Sequence, residues 1–235
     1  MSLIKLVIFD FDGTLFDTHR SISHCIKLTF DALLPEQAPS EAEVHRLISS
    51  GAGLQDTFKA LHPDVCSFED EKWTATYRLL YAEHGQPLIA PFAGASDLLA
   101  VLQAHGILTA IVSNKGVAAV TTALKNNGLG KSIHEDMIVG DKAPGATRKP
   151  DRGSYVNVLL PAMRSCGHTD IDASSVLVVG DTEADIQFAA NIGGAKSVWC
   201  RYGYGNRAEC EKLMPSFTVD SLQEIEEIIK VHDEK

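Results

Sequence analysis

No stretch of this 235-residue chain approaches the ~20 consecutive apolar residues that a membrane-spanning helix needs, so no membrane partner is expected. The apolar run at residues 3–9 contains Lys5 and stops at Asp10, too short and wrongly ended for a secretory signal. Positive charge is also scarce. Against 31 Asp and Glu there are 21 Lys and Arg, a formal charge of −10, and a nucleic-acid binder that neutralises phosphates is not expected. An anionic small molecule stays open, because a local basic pocket dominates within a Debye length of ~10 Å. Paired cysteines are missing too. Cys25, Cys66, Cys166, Cys200 and Cys210 are odd in number and form no Cys-x-x-Cys, which fits buried thiols in a reducing cytoplasm. The histidines lack metal-ligand spacing, and there is no internal repeat or low-complexity tract. What remains is 45% hydrophobic and 22% charged, the balance of a globular protein.

Short apolar runs alternate with longer amphipathic ones. The runs at 4–9, 107–112, 137–140, 176–180 and 195–200 are rich in β-branched residues, hydrophobic on both faces, and bounded by Gly, Asn or Asp. Strands of a parallel sheet covered on both sides have this pattern. Helical periods lie between or after them at 95–105, 117–126, 154–163 and 222–231. The alternation predicts a doubly wound, Rossmann-like α/β core. One segment breaks it. After the first strand, residues 18–87 show only helical patterning, with Ile22, Ile26, Phe30 and Leu33 at helical spacing and further faces at 41–49, 54–61 and 68–83. About 70 residues far exceeds a βα connection, so 17–87 is expected to be an inserted helical cap, with 1–16 and 88–235 forming the core. The linkers would be 15–18 and 86–91. Residues 17–90 hold six Lys and Arg against eleven Asp and Glu, which disfavours a polyanion-binding face.

Ligands of open α/β sheets sit beyond the carboxyl ends of the strands, near the point where strand order reverses. Four polar clusters fall at such ends. Asp10-Phe11-Asp12-Gly13-Thr14 follows the first run. Asp and Gly suit a turn, yet two carboxylates crowded at one mouth raise each other's pKa. A cation resolves that conflict, and oxygen-only ligands point to Mg²⁺. Ser113-Asn114-Lys115 follows the second run, where a hydroxyl and amides beside a helix N-terminus can bind phosphoryl oxygens; alone, Ser113 reads as an N-cap. Arg148-Lys149-Pro150 precedes a helix expected from Asp151, with Pro150 fixing its start and aiming Lys149 inward. Gly180-Asp181-Thr182-Glu183-Ala184-Asp185 follows the fourth run. Asp181 and Asp185 are four apart and can share one face of a helical turn; capping accounts for one of them more easily than both.

In this order the four clusters resemble the haloacid dehalogenase superfamily of aspartate-nucleophile phosphatases: DFDGT its DxDGT, Ser113 its Ser/Thr, Lys149 its lysine and GDTEAD its GDxxxD. The resemblance spans the chain, places the helical insert where that family carries its cap, and is greatest to phosphoglycolate-phosphatase-like members. It departs after Lys149, where Pro150 is followed by Asp151 and Arg152, and in the length of 160–175. The resemblance implies a Mg²⁺-dependent phosphatase in which Asp10 attacks the phosphorus of a small phosphorylated metabolite such as phosphoglycolate, forming an aspartyl-phosphate. Asp12 would protonate the leaving alkoxide and later deprotonate water, while Ser113 and Lys149 bind the non-bridging oxygens. The metal residues would be Asp10, the Asp12 backbone carbonyl and Asp181, with Asp185 orienting waters or Lys149. Thr14 is expected to buttress Asp12, and Thr14 and Asn114 to serve the substrate pocket. A sugar phosphomutase, a nucleotidase or a pyrophosphatase are alternatives. Asp12 argues against dehalogenase chemistry, and the intact nucleophile and lysine argue against a non-enzymatic module. His19, Arg20, the Gly51-Ala52-Gly53 turn, Lys115 and the Arg201-Tyr202-Gly203 rim are candidates that surface or turn roles explain as well.

Overall fold

In the computed structural model, which describes residues 3–233, the strands are β1 (Leu6–Phe9), β2 (Phe16–Asp17), β3 (Ala90–Pro91), β4 (Leu108–Gly116), β5 (Ile138–Asp141), β6 (Val176–Gly180), β7 (Lys196–Cys200) and β8 (Phe217–Val219). Six of them form one sheet in the order β5-β4-β1-β6-β7-β8, every pairing parallel. All residues of β1 and β6 are buried, so both faces are covered, as their two-sided apolar pattern requires. This is the doubly wound α/β core that the sequence predicts. The sixth strand, β8, escapes sequence reading because it has three residues and buries only Val219.

The helices are α1 (His19–Leu33), α2 (Glu41–Ser49), α3 (Leu54–Leu61), α4 (Asp70–Leu80), α5 (Ala95–Ala104), α6 (Val117–Asn126), α7 (Leu160–Ser165), α8 (Glu183–Ile192), α9 (Arg207–Lys212) and α10 (Gln223–Asp233). The first four lie between β2 and β3, and no strand interrupts them. Among them the rings of Phe30, Phe58 and Trp73 lie with centroids 4.7–6.2 Å apart, in a buried cluster continuous with that of the sheet. A reciprocal Ser40–Glu43 capping box starts α2. A π-helical turn, Tyr81–Gly85, ends α4. The two connections to the sheet run together, because β2 pairs antiparallel with β3.

Three expectations need correcting. Cys25, Cys200 and Cys210 are buried, but Cys66 and Cys166 are exposed; these two sit in a short turn and just past α7, where no core is within reach. The helix expected from Asp151 begins at Ser154 with π-helical turns and continues as α7. Pro161 lacks the N–H that a regular α-helix would use there. Pro150, joined to Lys149 by a cis peptide, lies within a turn that Asp151 N closes on Arg148 O at 3.0 Å, and does not open a helix. Ser113, Asn114 and Lys115 do not follow a strand but lie in the outer end of β4, whose register shifts after Val112. No helix among the described residues is long and apolar enough to cross a membrane.

Candidate active site

From β1 the chain crosses to β4 on one side and later returns to β6 on the other, so the strand order reverses at β1, where α/β sheets place their ligands. Phe9 is level with Ile111 and Val179. Asp10 is the next residue out, its N–H donating to Val179 O at 2.8 Å. Ser113 and Asp181 lie two residues beyond their strands' level positions. Three polar groups from chain segments more than 65 residues apart are thus brought to one mouth by strand register alone. The loop after Asp10 is fixed by Phe11, which stacks on Phe16 at 4.6 Å. Gly13 turns it at φ +78°, and a Cβ there would stand 2.4 Å from Asp181 Oδ2, so a side chain would be both strained and in collision.

Asp10, Asp181 and Asp185 offer carboxylate oxygens that all lie within 4.8 Å of one another. Lys149 Nζ stands 2.7 Å from Asp10 Oδ1 and 2.6 Å from Asp185 Oδ1. The other oxygen of Asp185 accepts from Thr182 N at 3.0 Å and Thr182 Oγ1 at 2.8 Å, at the start of α8. Both Asp185 oxygens are thereby committed. Asp181 is held by Thr14 Oγ1 on Oδ1 (3.2 Å) and by Tyr204 N on Oδ2 (2.7 Å). Gly205 lets the 202–206 loop close on it, since a Cβ there would lie 2.0 Å from Asp181 O.

Burial pushes the Asp10 carboxyl up to about 7; Lys149 pulls against it, and the Asp185 and Asp12 carboxylates add to the rise. Burial likewise holds Asp181 well above the carboxylate range, with Asp10 and Asp185 adding to it. Burial disfavours the Lys149 ammonium, but Asp10 and Asp185 more than offset this and raise its pKa. Three buried acids around one ammonium leave negative charge uncompensated. Their donors are all hard oxygens, and their spacing matches the roughly 4–5 Å across the ligand shell of Mg²⁺ or Ca²⁺. The residues present fit a hard divalent cation.

The other predicted residues serve the site in different ways. The Asp12 carboxylate is outside the cluster of three and pairs with Lys115 Nζ at 3.0 Å. Lys115 is almost buried and its ammonium lies 4.3 Å from the Tyr81 ring centroid. Burial opposes that charge, but Asp12 and Tyr81 raise its pKa overall. Ser113 Oγ accepts from Lys115 N at 3.1 Å, which leaves its own proton free to donate. Thr14 does not buttress Asp12. It is fully buried, turned by the Gly13 bend onto Asp181, and does not border the cavity. Asn114 borders the cavity, but its amide is spent on main chain: Oδ1 accepts from Lys149 N at 2.9 Å, and Nδ2 donates to Gly51 O (3.1 Å) and Lys149 O (3.4 Å). It positions Lys149 and meets the Gly51 turn through a carbonyl rather than an amide.

Two residues that hold the site together have little sequence signal. Tyr204 Oη accepts from Thr18 N (2.6 Å) and His19 N (3.0 Å) and donates to Asp17 Oδ1 (2.7 Å), tying the Asp181 loop to the start of α1. The Tyr-Gly alternation after β7 is its one trace in the sequence, where it suggests only a rim ending at Gly203. Arg148 bridges Asp141 of β5 (3.1 Å) and Asp56 of α3 (2.6 Å). Of the remaining candidates, His19 pairs with His45 at 2.9 Å, Arg20 is exposed, and Arg201 pairs with Asp220. Tyr202 Oη donates to Thr14 O at 2.8 Å. The site opens on a cavity of about 350 Å³ bordered by Asp10, Asp12, Ser113, Lys115, Lys149 and Asp181 and roofed by α1–α4.

The chain is similar to known proteins. The chain is 29% identical to a phosphoglycolate phosphatase of Vibrio parahaemolyticus over 97% of each chain, and 26% identical to the pyrophosphatase PpaX of Bacillus pumilus, again over 97% of each. Its fold matches a haloacid dehalogenase-like family hydrolase from Streptococcus pneumoniae with a TM-score of 0.75 at 22% identity, over 96% of this chain and 98% of that one. A model of the haloacid dehalogenase-like hydrolase family matches residues 7–199, and the chain belongs to that family.

Proposed function

We propose that the protein is a Mg²⁺-dependent phosphatase of small phosphomonoesters, with an aspartyl-phosphate formed on Asp10. The observation that carries this reading is the buried Asp10–Asp181–Asp185 cluster, set at the switch point with the Lys149 ammonium between Asp10 and Asp185. Asp10 and Asp181, with the backbone carbonyl of Asp12, would hold the ion. Asp185 acts through Lys149 and Thr182. When bound, the ion screens the repulsion between the Asp10 carboxylate and an anionic phosphoryl group.

Asp10 attacks phosphorus; the P–O bond to the alcohol breaks as a P–O bond to Asp10 forms. Lys149 and the Ser113 hydroxyl hold the non-bridging oxygens, whose charge must be stabilised as the bond breaks. Asp12, once it has left its ion pair with Lys115 and taken up a proton from solvent, gives that proton to the departing alkoxide. It then takes a proton from the water that attacks the aspartyl-phosphate, releasing phosphate and restoring Asp10. Asn114 keeps Lys149 in place. The helical segment 17–87 serves as the cap that excludes water, swinging on the β2–β3 pair. Phosphoglycolate, the substrate named for the Vibrio relative, is the reference ester for the assay.

Trapping the intermediate tests the mechanism. Acid quench during a single turnover of a ³²P-labelled ester should leave label on the protein as a hydroxylamine-labile acyl phosphate at Asp10. Release of all the label as inorganic phosphate, with none on the protein at any time in the turnover, would mean direct attack by water. Full activity in excess EDTA would remove the metal from the reading.

A further inference from the structure

If the protein is a phosphatase, the cavity roof faces the alcohol half of its substrate. The helices between β2 and β3 turn Ile22, Ile48, Leu54, Tyr77 and Tyr81 towards the cavity. Ile22, Ile48 and Leu54 are only half-buried, so part of their apolar surface has no protein partner. Arg78 is the one basic residue these helices contribute to the lining, and it is exposed. The two ammoniums deeper in the cavity are engaged, Lys149 by Asp10 and Asp185 and Lys115 by Asp12.

A short hydroxy acid esterified to phosphate carries a second carboxylate within a few ångströms of phosphorus. At that depth it would meet the Asp10 and Asp181 carboxylates with Lys149 already given to the phosphoryl oxygens, and it would leave the apolar roof empty. A volume of about 350 Å³ corresponds to roughly a dozen water-sized groups, enough for a phosphoryl group and a body of several carbons. We propose, resting on phosphatase activity at Asp10, that the preferred substrate is the monophosphate of an alcohol with a mainly apolar body several carbons long, seated against Ile22, Ile48 and Leu54.

The test is a chain-length series, methyl to octyl monophosphate, with phosphoglycolate alongside and Mg²⁺ present. Burying each methylene should raise kcat/KM about fourfold over the first several carbons. Hexyl phosphate should exceed phosphoglycolate by at least about tenfold. Affinities of the matching n-alkylphosphonates, measured calorimetrically, should climb with the same slope. Leu54→Asn should cut the hexyl-to-methyl ratio by about tenfold or more. Ile48→Asn gives the same readout if Leu54→Asn does not fold, as thermal melting would reveal. Hydrolysis with no dependence on chain length, or faster turnover of phosphoglycolate than of hexyl phosphate, would overturn this specificity and leave the phosphatase reading standing. No turnover of any ester, with phosphonate affinity still rising with length, would overturn the phosphatase reading and leave the apolar chamber. Flat phosphonate binding together with no turnover would overturn both.

Discussion

At the sheet end of the cavity each charged side chain is held by others: Lys149 by Asp10 and Asp185, Asp181 by Thr14 and the Tyr204 amide, Asp12 by Lys115. Opposite them, α1–α4 present the mainly apolar Ile22, Ile48, Leu54 and Tyr77, with Thr57 and the exposed Arg78 beside them. The ties across include Arg148 to Asp56, Asn114 to Gly51 O, Lys115 over the Tyr81 ring, Gln86 Nε2 to Ala119 O, and Tyr204 to the start of α1. Buried charge tolerates no misplacement, because an unpaired ion in a dry site costs far more than a lost van der Waals contact. Apolar packing loses free energy in small steps per methylene. The floor is therefore built on strand ends, which fix positions rigidly, and the roof on a helical segment joined by two adjacent connections.

The largest expected effect breaks the floor at its centre. Asp10→Asn should lower kcat/KM by at least ~10⁴-fold, because an amide is a poor nucleophile and a poor ligand for a hard cation. A steady-state assay with Mg²⁺ checks it, and activity within tenfold of the parent would exclude Asp10 as nucleophile. Asp12→Ala comes next, with a loss of ~10²–10⁴-fold on alkyl phosphates. The loss in the first step should shrink for p-nitrophenyl phosphate, whose leaving group needs no proton, so a burst of nitrophenol followed by slow turnover is expected. Mg²⁺ binding should survive, since only the backbone carbonyl of Asp12 is assigned to the ion. If Asp12→Ala lost the ion as badly as Asp181→Ala, its acid–base role would be wrong.

A third test compares the floor with and without its cation. With the Asp10 pKa raised from 3.8 to about 7, the metal-free folded protein keeps a proton that the unfolded chain has released across that window. Its contribution to stability is present at low pH and lost as pH rises through the window. Mg²⁺ substitutes for such protons, so its stabilisation should be larger near pH 8 than near pH 5.5. At about a hundred times Kd the gain is ~2.7 kcal/mol, or about 5–10 °C in Tm for a chain of this size. Equal shifts at both pH values would place the ion elsewhere than on these carboxylates.

The smallest effect is expected at the ties. Asp56 is largely exposed, and its pair with Arg148 is solvent-screened. Asp56→Asn should move Tm by no more than ~2 °C and leave kcat on p-nitrophenyl phosphate within about threefold. A tenfold fall in kcat would make this ion pair part of the working geometry and erase the contrast between held floor and loosely tied roof.

The chain's own pattern made the five longer strands, the helical stretch after the first of them and the four polar clusters legible, because strands and helices repeat with local periods and turn residues mark their ends. β8 was not legible, being too short to show a period. Thr14 and Asn114 were located at the site, but their partners were not. The bend at Gly13 turns Thr14 onto Asp181, and the Asn114 amide goes to the main chain of Gly51 and Lys149.

The sequence by itself determined which chemical groups stand at the strand ends and in what order, since each cluster lies within a few residues of an apolar run. Tertiary structure alone decided which groups meet. Thr14 and Asp181 are 167 residues apart, Asp12 and Lys115 are 103 apart, and Tyr204 reaches back 186 residues to Thr18. Such pairings leave no periodic trace along the chain. They follow from strand order, from the close approach that Gly13 and Gly205 permit, and from the need of each buried charge for a partner, which only the folded arrangement can supply.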